Sequence, residues 1–485
     1  MLKKKTLALF FILALALGLR LYKIKAPLAD HHSWRQVDTA AIIRNLAQED
    51  FDLLHPQWDN LVATNSQGLP NPNRYFFEDF PLAFDVYPAL LSKVFGYSTT
   101  LLRFSSVAFS LLTIAFLFYL VSDLTGQKIA LLTVLIYAVL PYSVFFSRGI
   151  FQEIPLNFYA VASLFFLQRY LKKNKNKYFL GAIVLNSLLF LTKPYALVFL
   201  LPEAWLFWQQ DHLKIFKNKR TAIFFIASLL PFALWWLWVR RFPEGLPYSS
   251  WLFNEGNIRF KGSFFYWIFA ERIGKLILGF YGLVFLGVGL LAFGRPEENL
   301  FYGWILALLV YVTVIAKGNV THDYYQVPFL PPIAFFTAKG IDFLLSLPKR
   351  RFFPQIVTGV VVLAFSLFAL TFSWYEVRHF YELKSGVDLA GVFVDQNLPP
   401  ETLIISGDGA DPTLLYNCNR RGWAVGYGSE YENNPETINK LVNKEAAFYV
   451  TTQVAQIRAT GFYQYLKDNH SLLKETNQYV VFDLR

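Results

Sequence analysis

Long apolar segments separated by short basic loops are the feature that most constrains this chain. About eleven of them are long enough to cross roughly 30 Å of hydrocarbon as helices, and they begin near Thr6, Leu101, Lys128, Ile154, Tyr178, Tyr195, Thr221, Lys275, Leu300, Tyr325 and Pro354. Hydrophobic residues make up 55% of the 485 residues and charged residues 16%, which is too apolar for an ordinary soluble chain. The sequence therefore predicts an α-helical polytopic membrane protein.

The positions of the basic residues orient these spans. With the N-terminus in the cytoplasm, four inner segments are strongly basic, as the positive-inside rule requires; they contain Lys3 to Lys5, Lys172 with Lys173, Lys175 and Lys177, Lys214 with Lys217, Lys219 and Arg220, and Lys349 to Arg351. No small-residue cleavage site follows the first apolar run, so we interpret it as a retained helix. The net charge of +11 lies mostly in these clusters, which predicts a topology and no nucleic-acid partner.

An odd number of spans places the C-terminus outside the cytoplasm, together with three longer loops at residues 22–100, 240–274 and from about 374 onward. The last segment has strand patterns at 402–406, 447–451 and 479–484, and helical spacing at 386–397 and 435–442. We therefore predict a membrane module, residues 1–373, followed by a small extracytoplasmic α/β domain, residues 374–485. The single cysteine, Cys418, excludes an intramolecular disulfide and a cysteine-based zinc site.

The first outer loop carries the most unusual group of residues. An acid, two histidines, an arginine and a second acid fall within nine residues: Asp30, His31, His32, Arg35 and Asp38. The second half of this segment has apolar residues at helical spacing. Such a helix would lie at the depth of the lipid headgroups. An interfacial anchor that uses Trp34 and Arg35 is the alternative interpretation.

Other polar residues fall at the same predicted face. Glu78 and Asp79 precede Pro81, where two acids also suit the capping of a helix N-terminus. The remaining members are Arg148, Glu153, Lys193 and the run from His322 to Tyr325. Charged and aromatic residues from five segments thus converge on the outer face, whereas a transporter is expected to place ionisable residues near the midplane.

Together these motifs resemble the GT-C class of membrane glycosyltransferases, in the branch of bacterial protein O-mannosyltransferases and aminoarabinose lipid A transferases (glycosyltransferase family 39). The resemblance covers roughly residues 1–350 in order. It rests on the acidic first outer loop, the run from Asp79 through Pro81 to Gly96, Arg148 with Glu153, the Thr-Lys-Pro at 192–194 and the His-Asp-Tyr-Tyr at 322–325. It implies a GT-C-like fold with interfacial helices in the first outer loop, in a bacterial inner membrane.

The resemblance also implies the chemistry. Such enzymes pass one sugar, with inversion, from a polyprenyl-phosphate carrier to a lipid, glycan or protein acceptor outside the cytoplasm. By this resemblance Asp30 is the leading catalytic base, with Asp79, Glu78 and Glu153 assisting. The expected substrate-binding residues are His31, Trp34, Arg35, Asp38, Arg148, Lys193, His322, Tyr324 and Tyr325, with Arg35, Arg148 and Lys193 holding phosphate.

Two departures from the family pattern leave alternatives open. The family's first loop usually carries Asp-Glu where this chain has Asp30-His31. If the family motif is aligned on Arg44 instead, the position of its acidic residue falls near Arg35 or Asp38. Phe80 stands where lipid A transferases carry a lysine.

Asp30, His31, His32 and Glu78 are also candidate ligands of a divalent metal ion, because histidine with carboxylate suits zinc or manganese. A transporter or flippase for lipid-linked saccharides is the main alternative function, and a non-catalytic scaffold is the second.

Overall fold

The computed structural model describes residues 2–65, 68–77, 79–245, 250–347 and 354–485. Its α-helices are α1 (Leu2–Arg20), α2 (Ser33–Gln48), α3 (Val86–Phe95), α4 (Thr99–Leu124), α5 (Gln127–Val139), α6 (Pro141–Phe146), α7 (Glu153–Lys173), α8 (Asn176–Thr192), α9 (Leu200–Asp211), α10 (Lys219–Val239), α11 (Ser250–Asn254), α12 (Gly262–Phe265), α13 (Gly282–Leu291), α14 (Asn299–Val314), α15 (Ala316–Thr321), α16 (Leu330–Ser346), α17 (Gln355–Val377), α18 (Val387–Asn397), α19 (Thr413–Asn417), α20 (Pro435–Val442), α21 (Val454–Arg458) and α22 (Gly461–Asn469). Short 3-10 turns add Pro81–Ala83, Pro194–Phe199, His212–Lys217, Glu255–Phe260, Pro296–Glu298, Asp323–Phe329 and Arg378–Tyr381, and Tyr266–Ile277 is a π-helix.

A helix lies at each of the eleven predicted positions. Among the described helices, five are long and apolar enough to cross a membrane by themselves: Thr99–Leu124, Lys219–Val239, Pro296–Val314, Asp323–Ser346 and Gln355–Tyr381. A sixth is obtained if Gly262–Ile277 and Gly282–Leu291, which are bent by 116°, form one broken span. The total of eleven spans stays a prediction.

Two of these helices lie at the periphery of the bundle. Only 22% of the apolar window of α10 and 17% of that of α17 are buried within the protein. The remaining surface is formed by large apolar side chains such as Ile226 and Leu234 on α10 and Ile356 on α17. Contiguous apolar surface of this size requires a lipid environment.

Several basic residues lie in the loops at one end of the bundle. Arg169 pairs with Asp123 at 2.5 Å, Arg220 donates to the side chain of Asn174 at 2.6 Å, and Lys128 pairs with Asp342. The candidate catalytic residues lie at the opposite end. The basic triplet Lys349 to Arg351 lies outside the described residues, as does Glu78.

The C-terminal segment folds around one five-stranded sheet. Its strands are β1 (Leu403–Ser406), β2 (Gly422–Ala424), β3 (Ala446–Thr451), β4 (Ser471–Glu475) and β5 (Val480–Asp483), in the order β2-β1-β3-β5-β4. β1 is parallel to β2 and β3, and β5 is antiparallel to β3 and β4. The small α/β domain is confirmed. Its predicted boundary at residue 373 falls within α17, and the division into two domains stays a prediction.

This domain packs onto α2. Thirteen of the sixteen residues of α2 are buried. Arg44 donates to the side chain of Asn419 at 2.8 Å and forms a buried ion pair with Asp59 of the first outer loop. The Tyr97 and Tyr416 hydroxyls are 2.6 Å apart. The helix thus lies between the membrane module and the C-terminal domain.

Helices α13 and α16 cross in close contact through two glycines. A Cβ atom added at Gly289 would lie 1.8 Å from the carbonyl oxygen of Phe336, and one added at Gly340 would lie 1.9 Å from that of Phe285. Small residues at a helix crossing allow backbones to approach in this way, as is common in membrane bundles.

We therefore expect Gly289→Ala to lower the free energy of unfolding by about 1–3 kcal/mol, because the added methyl group forces the two backbones apart. Gly287→Ala, on the same helix, is the matched control, since a Cβ there meets nothing within 4 Å. The thermal unfolding midpoint in detergent micelles provides the measurement. Equal midpoints for both variants would contradict the close crossing.

Candidate active site

Asp30 is held between two buried arginines. Its Oδ2 accepts hydrogen bonds from Arg148 at 2.6 Å and from Arg103 at 3.1 Å, and its Oδ1 accepts one from Gln36 at 2.8 Å. The side chains of Asp30 and Arg103 are fully buried. These partners enclose the carboxylate on the side of both oxygens. The catalytic role of Asp30 stays a prediction, and its geometry is that of a positioning residue.

A second charged cluster joins the first outer loop to the break between α8 and α9. Arg35 Nη2 lies 3.8 Å from Asp79 Oδ1 and donates to Gln152 at 2.6 Å. The backbone NH of Phe80 donates to the carbonyl of Leu191 at 3.1 Å, so Asp79 is fixed next to the segment that carries Lys193. Asp79, Arg35 and Lys193 are each less than 10% exposed.

Asp85 belongs to the same cluster. It is 1% exposed. Burial and the neighbouring Asp79 carboxylate raise the pKa of Asp85 well above its usual range, against the opposing effect of Arg35 and Lys193. The surroundings thus favour the neutral form of Asp85, and carboxyl groups perturbed by burial and a like charge are common in active sites.

Glu153 begins α7 and is fully buried. Its Oε1 accepts a hydrogen bond from the Tyr195 hydroxyl at 2.7 Å, while its Oε2 has no hydrogen-bond partner among the described residues. The ring of Tyr195 lies 4.6 Å from that of Tyr311 and 5.7 Å from that of Tyr325. A buried carboxylate oxygen left without a partner is unusual, and active sites are a common reason for one.

The two histidines of the first outer loop contact Asp323. His31 Nε2 lies 2.8 Å from Asp323 Oδ2, and His32 Nε2 lies 2.7 Å from Oδ1. The His32 ring also contacts Tyr324, with centroids 4.9 Å apart, and His322 at 5.9 Å.

The predicted metal ligands are brought together only in part. Asp30 is engaged by the two arginines, Glu78 lies outside the described residues, and Asp323 completes a group with His31 and His32 that can hold a metal ion. Two histidines and a carboxylate form a donor set that fits zinc.

The sequence-predicted residues therefore fall into three groups. Asp30 and Arg148 form a buried anchor, Arg35, Asp79 and Lys193 form a charged cluster near Glu153, and His31 and His32 contact the segment from His322 to Tyr325. Trp34 is half-buried and Asp38 is buried.

Sequence reasoning missed Arg103, Asp85, Tyr195 and Asp323. Arg103 stands inside an apolar run, and an intramembrane charge is itself a signal of a specific partner. Asp323 lies within the His-Asp-Tyr-Tyr motif, of which only the histidine and the two tyrosines were predicted to bind substrate.

A narrow cavity opens at the charged cluster. Its polar wall contains Asp79 and Lys193, and its apolar wall contains Phe77, Leu191, Trp235 and Trp236. A neighbouring apolar groove shares Leu191 and Trp235 with this cavity, and it is lined further by Phe80, Pro231, Leu234, Leu237, Trp238 and Arg241. Because α10 is largely lipid-facing, the groove leads from the lipid to the charged cluster.

Comparisons with known proteins show what this chain is similar to. Residues 79–238 match the family model described as dolichyl-phosphate-mannose-protein mannosyltransferase. ArnT from Cupriavidus metallidurans, solved bound to undecaprenyl phosphate, is 16% identical over 98% of both chains, with a TM-score of 0.68. The Archaeoglobus fulgidus oligosaccharyltransferase in complex with zinc and sulfate is 12% identical over 98% of this chain and 73% of that one, with a TM-score of 0.62. No curated protein matches the chain.

The fold is therefore that of the GT-C class of membrane glycosyltransferases, and the predicted resemblance to this class is confirmed. The likeness to the ArnT fold extends over 98% of both chains. It is an integral membrane protein, and the family match supports glycosyl transfer.

The anchor around Asp30 can be tested directly. We expect Asp30→Asn to lower the free energy of unfolding by about 3–5 kcal/mol, because two buried guanidinium groups lose their counter-charge. Asp50→Asn, an exposed acid in the same loop, is the control. Thermal unfolding in detergent micelles measures both. A variant with unchanged stability and abolished activity would restore Asp30 as the catalytic base.

Proposed function

We propose that this protein transfers a single sugar, with inversion, from a polyprenyl-phosphate donor to an acceptor at the outer face of the membrane. The observation that carries the proposal is the shared wall of a charged cavity and a lipid-facing groove, formed by Leu191 and Trp235. A donor with an apolar tail and an anionic headgroup needs both surfaces side by side.

The phosphate of the donor would lie near Lys193. This lysine lines the cavity, and Arg35 belongs to the same cluster on the other side of Asp79. Cations in a site that excludes water bind a phosphate strongly. They also stabilise it as a leaving group, so transfer requires no general acid.

The apolar tail would lie along α10. Pro231, Leu234 and Leu237 line the groove on this helix, and Arg241 lies at its outer end. Trp238 donates its indole NH to the carbonyl of Leu54 at 3.0 Å, which holds the first outer loop beside the groove. This contact would keep the headgroup region close to the tail.

Asp79 is the carboxylate best placed to orient or deprotonate the acceptor hydroxyl. It lines the cavity, whereas Asp30 is enclosed by arginines. Burial raises the pKa of Asp85 well above its usual range, which favours its neutral form over the carboxylate that this role needs. Glu153, with one carboxylate oxygen unpartnered among the described residues, would bind a sugar hydroxyl.

The proposal extends to the cellular setting. The acceptor is a glycolipid, a polysaccharide or a protein, and the transferred sugar is a hexose or a pentose. The protein would lie in a bacterial inner membrane with its N-terminus in the cytoplasm and its C-terminal domain outside. The basic residues at the end of the bundle opposite the cavity support this orientation.

Purified protein incubated with a panel of polyprenyl-phosphate hexoses and pentoses should release the lipid phosphate from at least one donor. Asp79→Asn should lower that rate by about 10²–10⁴-fold, because a positioned base is lost. Asp85→Asn should lower it less, because the raised pKa of Asp85 favours the neutral form that asparagine resembles. Release from no donor by a folded sample would overturn the enzymatic function, and equal losses in both variants would overturn the role of Asp79.

The groove makes a separate prediction. Leu234→Trp should raise the KM for a long-chain donor by roughly tenfold, which corresponds to about 1.4 kcal/mol of lost binding, and should leave a short-chain donor unaffected. Leu230→Trp is the matched control, since Leu230 is similarly exposed on the same helix but does not line the groove. Equal effects of the two variants, or an equal effect on both donors, would place the tail elsewhere.

A further inference from the structure

Three separate segments meet at the cluster of His31, His32 and Asp323. The histidines follow the first membrane helix, Asp323 begins the turn that precedes α16, and Phe380 lies in the turn that follows α17. Phe380 stacks on the His31 ring at 3.8 Å between centroids with an interplanar angle of 12°, and its carbonyl accepts the His31 backbone NH at 3.1 Å. The cluster is thus a junction of the membrane module with the start of the C-terminal segment.

The backbone at this junction is arranged to direct both imidazoles toward one carboxylate. His32 has φ of 53° and ψ of 35°, the left-handed region that non-glycine residues seldom occupy. The two imidazole rings lie 4.1 Å apart, and each presents its Nε2 to a different oxygen of Asp323. Backbone conformations of this kind are retained where the surroundings enforce them, and they concentrate at functional sites.

We propose that His31, His32 and Asp323 bind a divalent transition-metal ion of the zinc type. The site is distinct from the cavity at Asp79 and Lys193, and the proposal does not rest on the proposed sugar transfer. Two imidazole nitrogens and one carboxylate oxygen are a donor set that zinc accepts, with a fourth position left for water or a ligand.

The geometry requires only a small adjustment to accept the ion. The three candidate ligand atoms lie within 4.8 Å of one another. Ligand atoms around a tetrahedral ion with bonds of about 2.1 Å lie about 3.4 Å apart. Rotation of the two imidazole rings, which are 30% and 21% exposed, would open the hydrogen bonds to Asp323 and close the shell.

The nearby Arg272 does not form a hydrogen bond with the Asp323 carboxylate. Arg272 Nη1 lies 3.8 Å from Oδ2, which is too long for a hydrogen bond, and Arg272 Nη2 donates to the carbonyl of Val320 at 3.0 Å. The Tyr142 hydroxyl donates to the backbone carbonyl of Asp323 and so orients the residue without engaging the carboxylate.

An ion at this position would hold the first outer loop against the segment that begins α16. Tyr324 follows Asp323 directly, contacts His32 and stacks on Phe151 with centroids 5.2 Å apart. His322 and Tyr325 continue the contact toward Tyr195 and Glu153. Metal binding is therefore expected to stabilise the folded protein as well as to order this aromatic wall.

The experiment uses the full-length protein in detergent micelles, stripped with a chelator and then titrated with Zn²⁺ or Co²⁺. We expect one ion per chain, a visible Co²⁺ spectrum of tetrahedral intensity and a higher thermal unfolding midpoint with metal. His32→Gln and Asp323→Asn should each weaken binding by about 10-fold or more. His379→Gln is the control. His379 pairs with Glu382 at 2.7 Å, but that pair contains only one histidine and is not expected to bind the ion.

Substoichiometric binding by the wild-type protein, or binding that persists in the double variant His31→Gln/His32→Gln, would overturn the proposal. The cluster would then be a hydrogen-bonded network. Unfolding midpoints measured without metal show whether each variant is folded. A variant that is folded but binds no ion has lost a metal ligand and supports the site. Donor turnover measured before and after metal removal distinguishes this inference from the proposed function, because either can fail alone.

Discussion

The ion pairs of Asp30 with Arg103 and Arg148 fix the arrangement on which the outer face depends. The three side chains come from the loop after α1, from α4 and from the turn before α7, and all are enclosed. A buried charge is tolerated only when it is paired and hydrogen-bonded. Arg148 also donates to the carbonyl of Lys23 at 3.0 Å, so the same cluster fixes the chain that leaves the first membrane helix. The position of α2, and of Arg35 on it, follows from this anchor.

The opposite face of α2 is supported by the C-terminal domain. Ser33 and Thr413 hydroxyls lie 3.0 Å apart, and Asn417 donates to the carbonyl of Leu28 at 3.0 Å. The buried pair of Arg44 and Asp59 then connects the helix to the remainder of the first outer loop. A helix restrained from both sides holds its polar groups in fixed positions, which electrostatic stabilisation of a reaction requires. These contacts are consistent with a role of the C-terminal domain in positioning α2.

Features that depend on local pattern were visible in the sequence, and features that depend on distant partners were not. The apolar runs, α18, α20 and the buried strands β1, β3 and β5 each have a periodicity that local residues carry. Strand β4 was missed because it is an edge strand whose side chains are mostly exposed.

The candidate site shows the same division. The sequence placed Asp30, Asp79, Lys193 and His322 at one end of the bundle. It could not show that Asp30 pairs with Arg103 and Arg148, which lie 73 and 118 residues further along the chain. Nor could it show that Asp323, 291 and 292 residues from the histidines, completes their cluster. Pairings over such separations are set by helix packing, for which one sequence carries no direct signal.

The break between α8 and α9 explains why the charged cavity lies at the edge of the lipid. Lys193 follows α8 in an extended conformation, and Pro194 begins the next turn, so the helix cannot continue through the lysine. The interrupted backbone is shielded by Phe80, whose NH donates to Leu191. A continuous helix would carry the ammonium group into hydrocarbon, whereas this break turns it toward Asp79 beside a largely lipid-exposed α10. A substrate that is apolar at one end and anionic at the other can reach such a site without leaving the membrane.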